Sequence, residues 1–135
     1  MSLRGLQRAL AAEHAAVYLD AALAGLTSRE DALYDLLATA WEDHEAARNR
    51  LQEAISEAGA TPVGTAAGYR LPSGIGSVAG VRRAALRIEQ RCAAAYLANV
   101  ARVTGAHRGL LVELLGDCAV RELDFGGTPN AFPGS

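Results

Sequence analysis

The chain has 135 residues, 50% of them hydrophobic, with 13 basic and 15 acidic side chains and a net charge of −2. That apolar content with nearly balanced charge excludes intrinsic disorder, and a domain of this size buries about two-thirds of its unfolded surface. No window of about 18 residues lacks charges, which excludes a membrane-spanning helix. Arg8 and Glu13 interrupt the first residues, so no secretory leader is expected there.

The first predicted helix runs from Leu3 to Leu26, with Leu3, Leu6, Leu10 and Val17 at helical spacing and a stop at Gly25 and Thr27. Thr27-Ser28-Arg29-Glu30 reads as a capping box that opens a second helix. This helix continues to Ala58 and ends at Gly59, whose missing Cβ suits a left-handed C-cap. Between residues 59 and 77, Pro62, Gly64, Gly68, Pro72, Gly74 and Gly76 break any helix and define a linker. A third helix is expected from Val78 to Val103, and a fourth from Ala106 to Phe125 after the break at Thr104-Gly105. Gly126-Gly127 ends it, so residues 1–127 form one bundle and 128–135 an extended tail. No alternating strand pattern competes, and the class is all-α, a four-helix bundle.

Short breaks make hairpins of helices 1 and 2 and of helices 3 and 4. The linker, at about 3.3 Å per residue, reaches about 60 Å and can cross the whole bundle. Helix 3 then runs parallel to helix 2; a compact linker would give the simple up-down-up-down form instead. Ala9-Leu10-Ala11-Ala12-Glu13 and Ala85-Leu86-Arg87-Ile88-Glu89 form a faint internal repeat that favours the crossover.

Polar residues interrupt the apolar stripes. The stripe Leu3, Leu6, Leu10, Glu13, Val17, Asp20, Ala24 advances by three and four and puts Glu13 on the inward seam. Leu33, Leu37, Ala40, His44, Ala47, Leu51 does the same for His44. Leu86, Glu89, Ala93, Tyr96 and Val100 place Glu89 on an apolar face of helix 3, and helix 4 offers Leu110, Leu114, Asp117 and Arg121. Glu13, His44, Glu89 and Asp117 are each mid-helix, so all four are expected in one layer. A lone buried carboxylate is costly and must be neutralised.

Four helices, a long central crossover and mid-helix Glu13, His44 and Glu89 resemble the ferritin-like superfamily. More narrowly, the chain is similar to an alanine-rich bacterial ferritin-like family of unknown function. The local matches are Ala11-Ala12-Glu13-His14-Ala15-Ala16-Val17-Tyr18, Asp117-Cys118-Ala119-Val120-Arg121 and the tail Ala131-Phe132-Pro133-Gly134. The full di-iron pattern takes one Glu from each of two helices and Glu-x-x-His from each of the other two. Glu13 and Glu89 match the single glutamates. Trp41 stands three residues before His44 and Val120 three residues after Asp117, so a bridging carboxylate and one His are missing.

Arginine can take the place of metal charge, its planar fork donating to carboxylates. Arg121 lies four residues after Asp117, the favourable order for a helical pair, and Arg48 four residues after His44, within reach of Glu13 or Glu89. The expected role is therefore a structural or interaction protein, a homodimer without cofactor. The alternative is a metal-binding oxidoreductase or metal store holding Fe or Mn through Glu13, His44, Glu89 and Asp117. A small-molecule pocket in the same polar layer is a third reading.

Cys92 and Cys118 make no disulfide framework or metal spacing; they read as buried small hydrophobes, and a cytoplasmic setting is expected. His14 and His107 fall off the stripes and are expected at the surface, while Trp41 reads as core packing. Gly74-Ile75-Gly76-Ser77-Val78-Ala79-Gly80 precedes a helix without the strand a dinucleotide fingerprint needs, and reads as flexible linker. Arg83, Arg87 and Arg91 form a ridge at four-residue spacing, expected as a solvated face. With no aromatic platform and no net positive field, neither nucleic acid nor membrane is an expected partner.

Overall fold

A computed structural model describes residues 3–130 and 133–134. Four helices are present, α1 (Arg4–Gly25), α2 (Ala32–Glu57), α3 (Val78–Val100) and α4 (Gly105–Asp124), with no strand among the described residues. Each bound has a local cause. Ala58 caps α2, the amide of Gly59 (φ +86°) bonds the Ser56 carbonyl and that of Ala60 bonds the Ile55 carbonyl. This pair of bonds is a Schellman motif, which glycine closes without a Cβ penalty. Gly126 (φ +87°) ends α4 in the same way, with Gly126 bonding Leu123 and Gly127 bonding Glu122.

The start of α2 differs from the expected capping box. Thr27 Oγ1 donates to the Leu23 carbonyl at 2.8 Å and so completes α1, while Ser28 Oγ donates to Glu30 Oε2 at 2.6 Å. Asp31 takes the cap instead, its Oδ1 accepting from the Leu33 amide at 2.8 Å. A carboxylate one residue before the helix offers the same acceptor as the threonine, closer to the exposed amides. Ser77 caps α3, accepting from the Gly80 amide at 3.1 Å.

The linker decides the topology. Gln7 near the start of α1 donates to the Thr61 carbonyl and accepts from the Val63 amide, both at 2.8 Å, and Tyr18 further along meets Tyr69 with ring centroids 5.3 Å apart. The linker therefore runs parallel to α1 and returns the chain to the end where α2 began, so α3 runs parallel to α2 and antiparallel to α1. At the other end Gly5 of α1 lies against Val103 and Asn99; a Cβ there would sit 3.1 Å from Val103 Cγ1. The result is an up-down-down-up bundle: α1 packs on α2 and α3, α3 on α4, and the seam between α2 and α4 is the loosest.

The core is continuous along the bundle, from Leu6, Leu10, Leu23, Leu33 and Leu37 to Ile55, Ile88, Leu111 and Leu114. Many core positions are alanine (Ala9, Ala40, Ala84, Ala85, Ala93), which lets helices approach closely. At its middle sits a polar layer. The tail touches the bundle at Gly134 (φ +86°), where a Cβ would lie 2.5 Å from the Ala93 carbonyl of α3. Ala131 and Phe132 of the tail lie outside the described residues.

Candidate functional site

The polar layer is built from one stripe of each helix. Glu13 and Asp20 are two turns apart on α1, His44 is midway along α2, Glu89, Cys92 and Tyr96 lie on α3, and Cys118 and Arg121 on α4. Glu13, His44 and Glu89 have no exposure, and Arg121 only 8%.

His44 is the hub. Its Nδ1 bonds Glu13 Oε2 at 2.6 Å and its Nε2 bonds Glu89 Oε1 at 2.7 Å. Burial works against a charged imidazole, but the hydrogen bonds and charges of Glu13 and Glu89 outweigh it and hold His44 well above the ordinary histidine range. The ring is thus an imidazolium that donates from both nitrogens. Arg121 completes Glu89 from the other side: its Nε donates to both carboxylate oxygens at 3.1 Å, and its Nη1 lies 3.5 Å from Asp43 Oδ2. The Tyr96 hydroxyl donates to Glu13 Oε1. Burial and the Glu13 charge push that phenol well above its usual range, so it remains a donor. Two carboxylates and two cations therefore face one another within a single buried layer.

Asp20 stands at its edge. Burial raises its carboxyl to about 7, opposed by the His44 and Arg121 charges and reinforced by those of Glu89 and Glu13. Its Oδ2 is 3.7 Å from His44 Nε2, beyond hydrogen-bond range, and both carboxyl oxygens are buried without a partner. Cys92 and Cys118 are both free and buried, as expected. The Cys118 hydrogen bond and burial raise the Cys92 thiol well above its usual range, and the Cys92 thiol reaches the Ala12 carbonyl at 3.8 Å. Arg121 Nη2 donates to Cys118 Sγ at 3.5 Å.

Of the residues expected in the layer, Glu13, His44 and Glu89 meet and Asp117 does not. Asp117 is exposed and lines a groove of about 380 Å³ between α2 and α4 with Asp43, Arg50 and Arg121. The core face of α4 is Leu111, Leu114, Cys118 and Arg121, so Asp117 is turned outward by about 100°, one helical step. Arg121 consequently bonds Glu89 and not Asp117. Arg48 also stays outside, with its guanidinium on Asn49 and 3.8 Å from Glu45.

His14 departs from its expected surface position: it is 4% exposed, and its Nε2 lies 2.9 Å from the Val63 carbonyl, covered by the crossing linker. His107 is half-buried at the far end of the α2–α4 seam, and Trp41 is half-buried on α2, outside the core cluster in which it was expected. Asp20 and Tyr96 are the members that sequence reasoning missed. Both stood on stripes already drawn, Asp20 seven residues from Glu13 and Tyr96 seven from Glu89. That heptad spacing was the available signal. Among the described residues, two groups each bring their donor atoms within 4.8 Å of one another: Glu13, His44 and Cys92, and Asp20, His44 and Glu89.

The fold is similar to a conserved hypothetical protein, rv2844, from Mycobacterium tuberculosis, at 31% identity over 90% of this chain and 92% of that one, with a TM-score of 0.83. A second similar structure is described as ferritin like, diiron-carboxylate proteins from Bacillus anthracis str. Ames, at 19% identity over 91% of each chain and a TM-score of 0.75. That likeness makes the bundle a ferritin-like one. No curated protein matches the sequence. The family described as Domain of unknown function (DUF4439) matches residues 5–135, and the chain belongs to this family.

Proposed function

We propose that this chain is a structural or interaction module of ferritin-like fold whose central layer is held together by the protein's own charges. The carrying observation is His44, whose two ring nitrogens are both directed to carboxylates. A histidine ligates through a deprotonated nitrogen, so binding an ion there requires stripping a proton that two carboxylates retain. The donor set also departs from the di-iron pattern at Trp41 and Val120, and Arg121 brings a permanent cation to Glu89. These residues do not fit a di-metal centre, and no catalytic step is derived through one.

A role in interaction is supported by α4, where Val112, Val120 and Leu123 are exposed with Gly116 between them, spaced by three and four. That is the spacing of a helix–helix seam, and a second copy of the chain is the proposed occupant. The cysteine content supports a cytoplasmic setting. No helix among the described residues is long and apolar enough to cross a membrane.

A second reading rests on Asp20. Its two orphaned oxygens beside His44 and Glu89 are chemically suited to one Fe or Mn ion, with Asp20, Glu89 and deprotonated His44 as donors. One experiment separates the readings: metal content of protein purified without chelator, followed by thermal melts with and without added Fe(II) or Mn(II). Melting that is unchanged by either ion, with no bound metal, is the outcome expected of the internal network. Stoichiometric metal with a raised melting temperature would establish the Asp20 reading in its place.

A further inference from the structure

On the opposite side of the molecule from the α2–α4 seam, the linker folds against the first turns of α3. The Gly74 carbonyl approaches Gly80 so closely that a Cβ there would lie 1.8 Å away, and Gly80 is buried beneath it. This contact raises a wall beside the arginine ridge and turns an open helix face into two adjoining hollows. One, of about 300 Å³, is bounded by Gly74, Gly80, Arg83, Arg87 and Arg91; the other, of about 360 Å³, by Arg70, Arg87 and Arg91. Pro72 and Ser73 are common to both.

The electrostatics are one-sided. No aspartate or glutamate lines either hollow. None of Arg70, Arg83, Arg87 and Arg91 makes an ion pair among the described residues, although the chain as a whole is slightly acidic. Arg50 by contrast pairs with Glu113 at 2.9 Å. Arg83, Arg87 and Arg91 follow one another with a backbone rise of about 6 Å per step, and like charges in such a row repel one another unless an anion lies between them. The N-terminus of α3 adds its positive dipole end on the same side.

We propose that this arginine-walled cleft binds a small ligand carrying two or more phosphates. Guanidinium forks match phosphate oxygens in pairs, and guanidiniums in a row at one-turn spacing match phosphates in a short chain. The two hollows are half open and sized for a small molecule more than for a duplex, and no aromatic side chain among the lining residues offers a stacking platform for single strands. Arg87 and Arg91, shared by both hollows, are the principal contacts. The site is separate from the buried layer and does not depend on its charge state.

The test is calorimetric titration of the whole chain with sodium tripolyphosphate at low ionic strength, repeated with inorganic phosphate. Arg87→Gln and Arg91→Gln are compared with Arg102→Gln, which removes the same charge at the far end of α3. All three positions are exposed, so melting temperature and circular dichroism serve as the check of folding. One-to-one binding of tripolyphosphate, tighter than that of phosphate, is expected, weakened about tenfold by Arg87→Gln or Arg91→Gln and unaffected by Arg102→Gln. No saturable binding at millimolar ligand overturns the proposal, as does equal weakening by all three variants. Binding to anionic phospholipid vesicles or a DNA oligonucleotide that tripolyphosphate does not displace also overturns it.

Discussion

Glu89 gives the sharpest energetic test of the buried layer. It accepts from His44 at 2.7 Å and through both oxygens from Arg121 at 3.1 Å, with no exposure of its own. Glu89→Ala removes both charge-assisted contacts and leaves two cations facing each other in the core. Breaking a buried pair in this way costs about 3–5 kcal/mol. In a domain of this size that lowers the melting temperature by roughly 10–20 °C. Arg121→Ala leaves Glu89 with His44 still bound, so its cost is smaller, about 2–3 kcal/mol. In the double variant the Arg121 charge is no longer stranded, and the combined loss falls short of the sum by about 2 kcal/mol. Urea unfolding of the wild type, both single variants and the double measures this coupling. Losses that add to within about 0.5 kcal/mol would refute the direct Glu89–Arg121 interaction.

Asp20 makes stability depend on pH with a defined sign. Its folded-state value, about 7, lies above the unfolded 3.8, so the folded protein holds this proton more tightly. The contribution is complete below about pH 4 and is lost as pH rises through about 7, a loss on the order of 4 kcal/mol. Asp20→Asn should flatten the decline between about pH 4 and 7 in urea melts; parallel curves for variant and wild type would contradict the burial argument. His44, also raised, adds a further decline at higher pH that Asp20→Asn leaves in place. Gly80→Ala should destabilise by about 1–3 kcal/mol and speed proteolysis within residues 72–76, because the neighbour that must move is the Gly74 backbone. Asp117→Ala, at an exposed position, should stay within about 0.5 kcal/mol of wild type; a core-sized loss would return Asp117 to the buried layer.

Much of the architecture was legible because helical periodicity and glycine punctuation are local signals. Gly59 and Gly126 end their helices as read, and the linker is long enough to cross, as it does. Glu13, His44 and Glu89 were found because each interrupts an otherwise apolar stripe. Helix α4 was ambiguous: Leu110, Leu114, Asp117, Arg121 and Leu111, Leu114, Cys118, Arg121 share two members and both alternate steps of three and four. Packing chose the second, since burying a thiol costs far less than burying another carboxylate. Choosing the wrong stripe put Asp117 inside and paired Arg121 with the wrong acid. His14 shows a different limit. Its helix face points away from the other helices, and only the tertiary path of the linker covers it. The arginine cleft is of the same kind: the ridge is written in α3, but its wall comes from the fold of residues 72–74.

The protonation of His44 distinguishes an internal ion-pair layer from a poised ligand site. Nitrogen-15 NMR of the imidazole ring, followed from pH 6 to 8, reads both ring nitrogens at once. Two protonated nitrogens throughout that range, with resonances neither shifted by Zn(II) nor broadened by Mn(II), is the expected result. A neutral ring at pH 7 with one bare nitrogen would show that Glu13 and Glu89 do not clamp an imidazolium, and the charge-balanced layer would have to be abandoned.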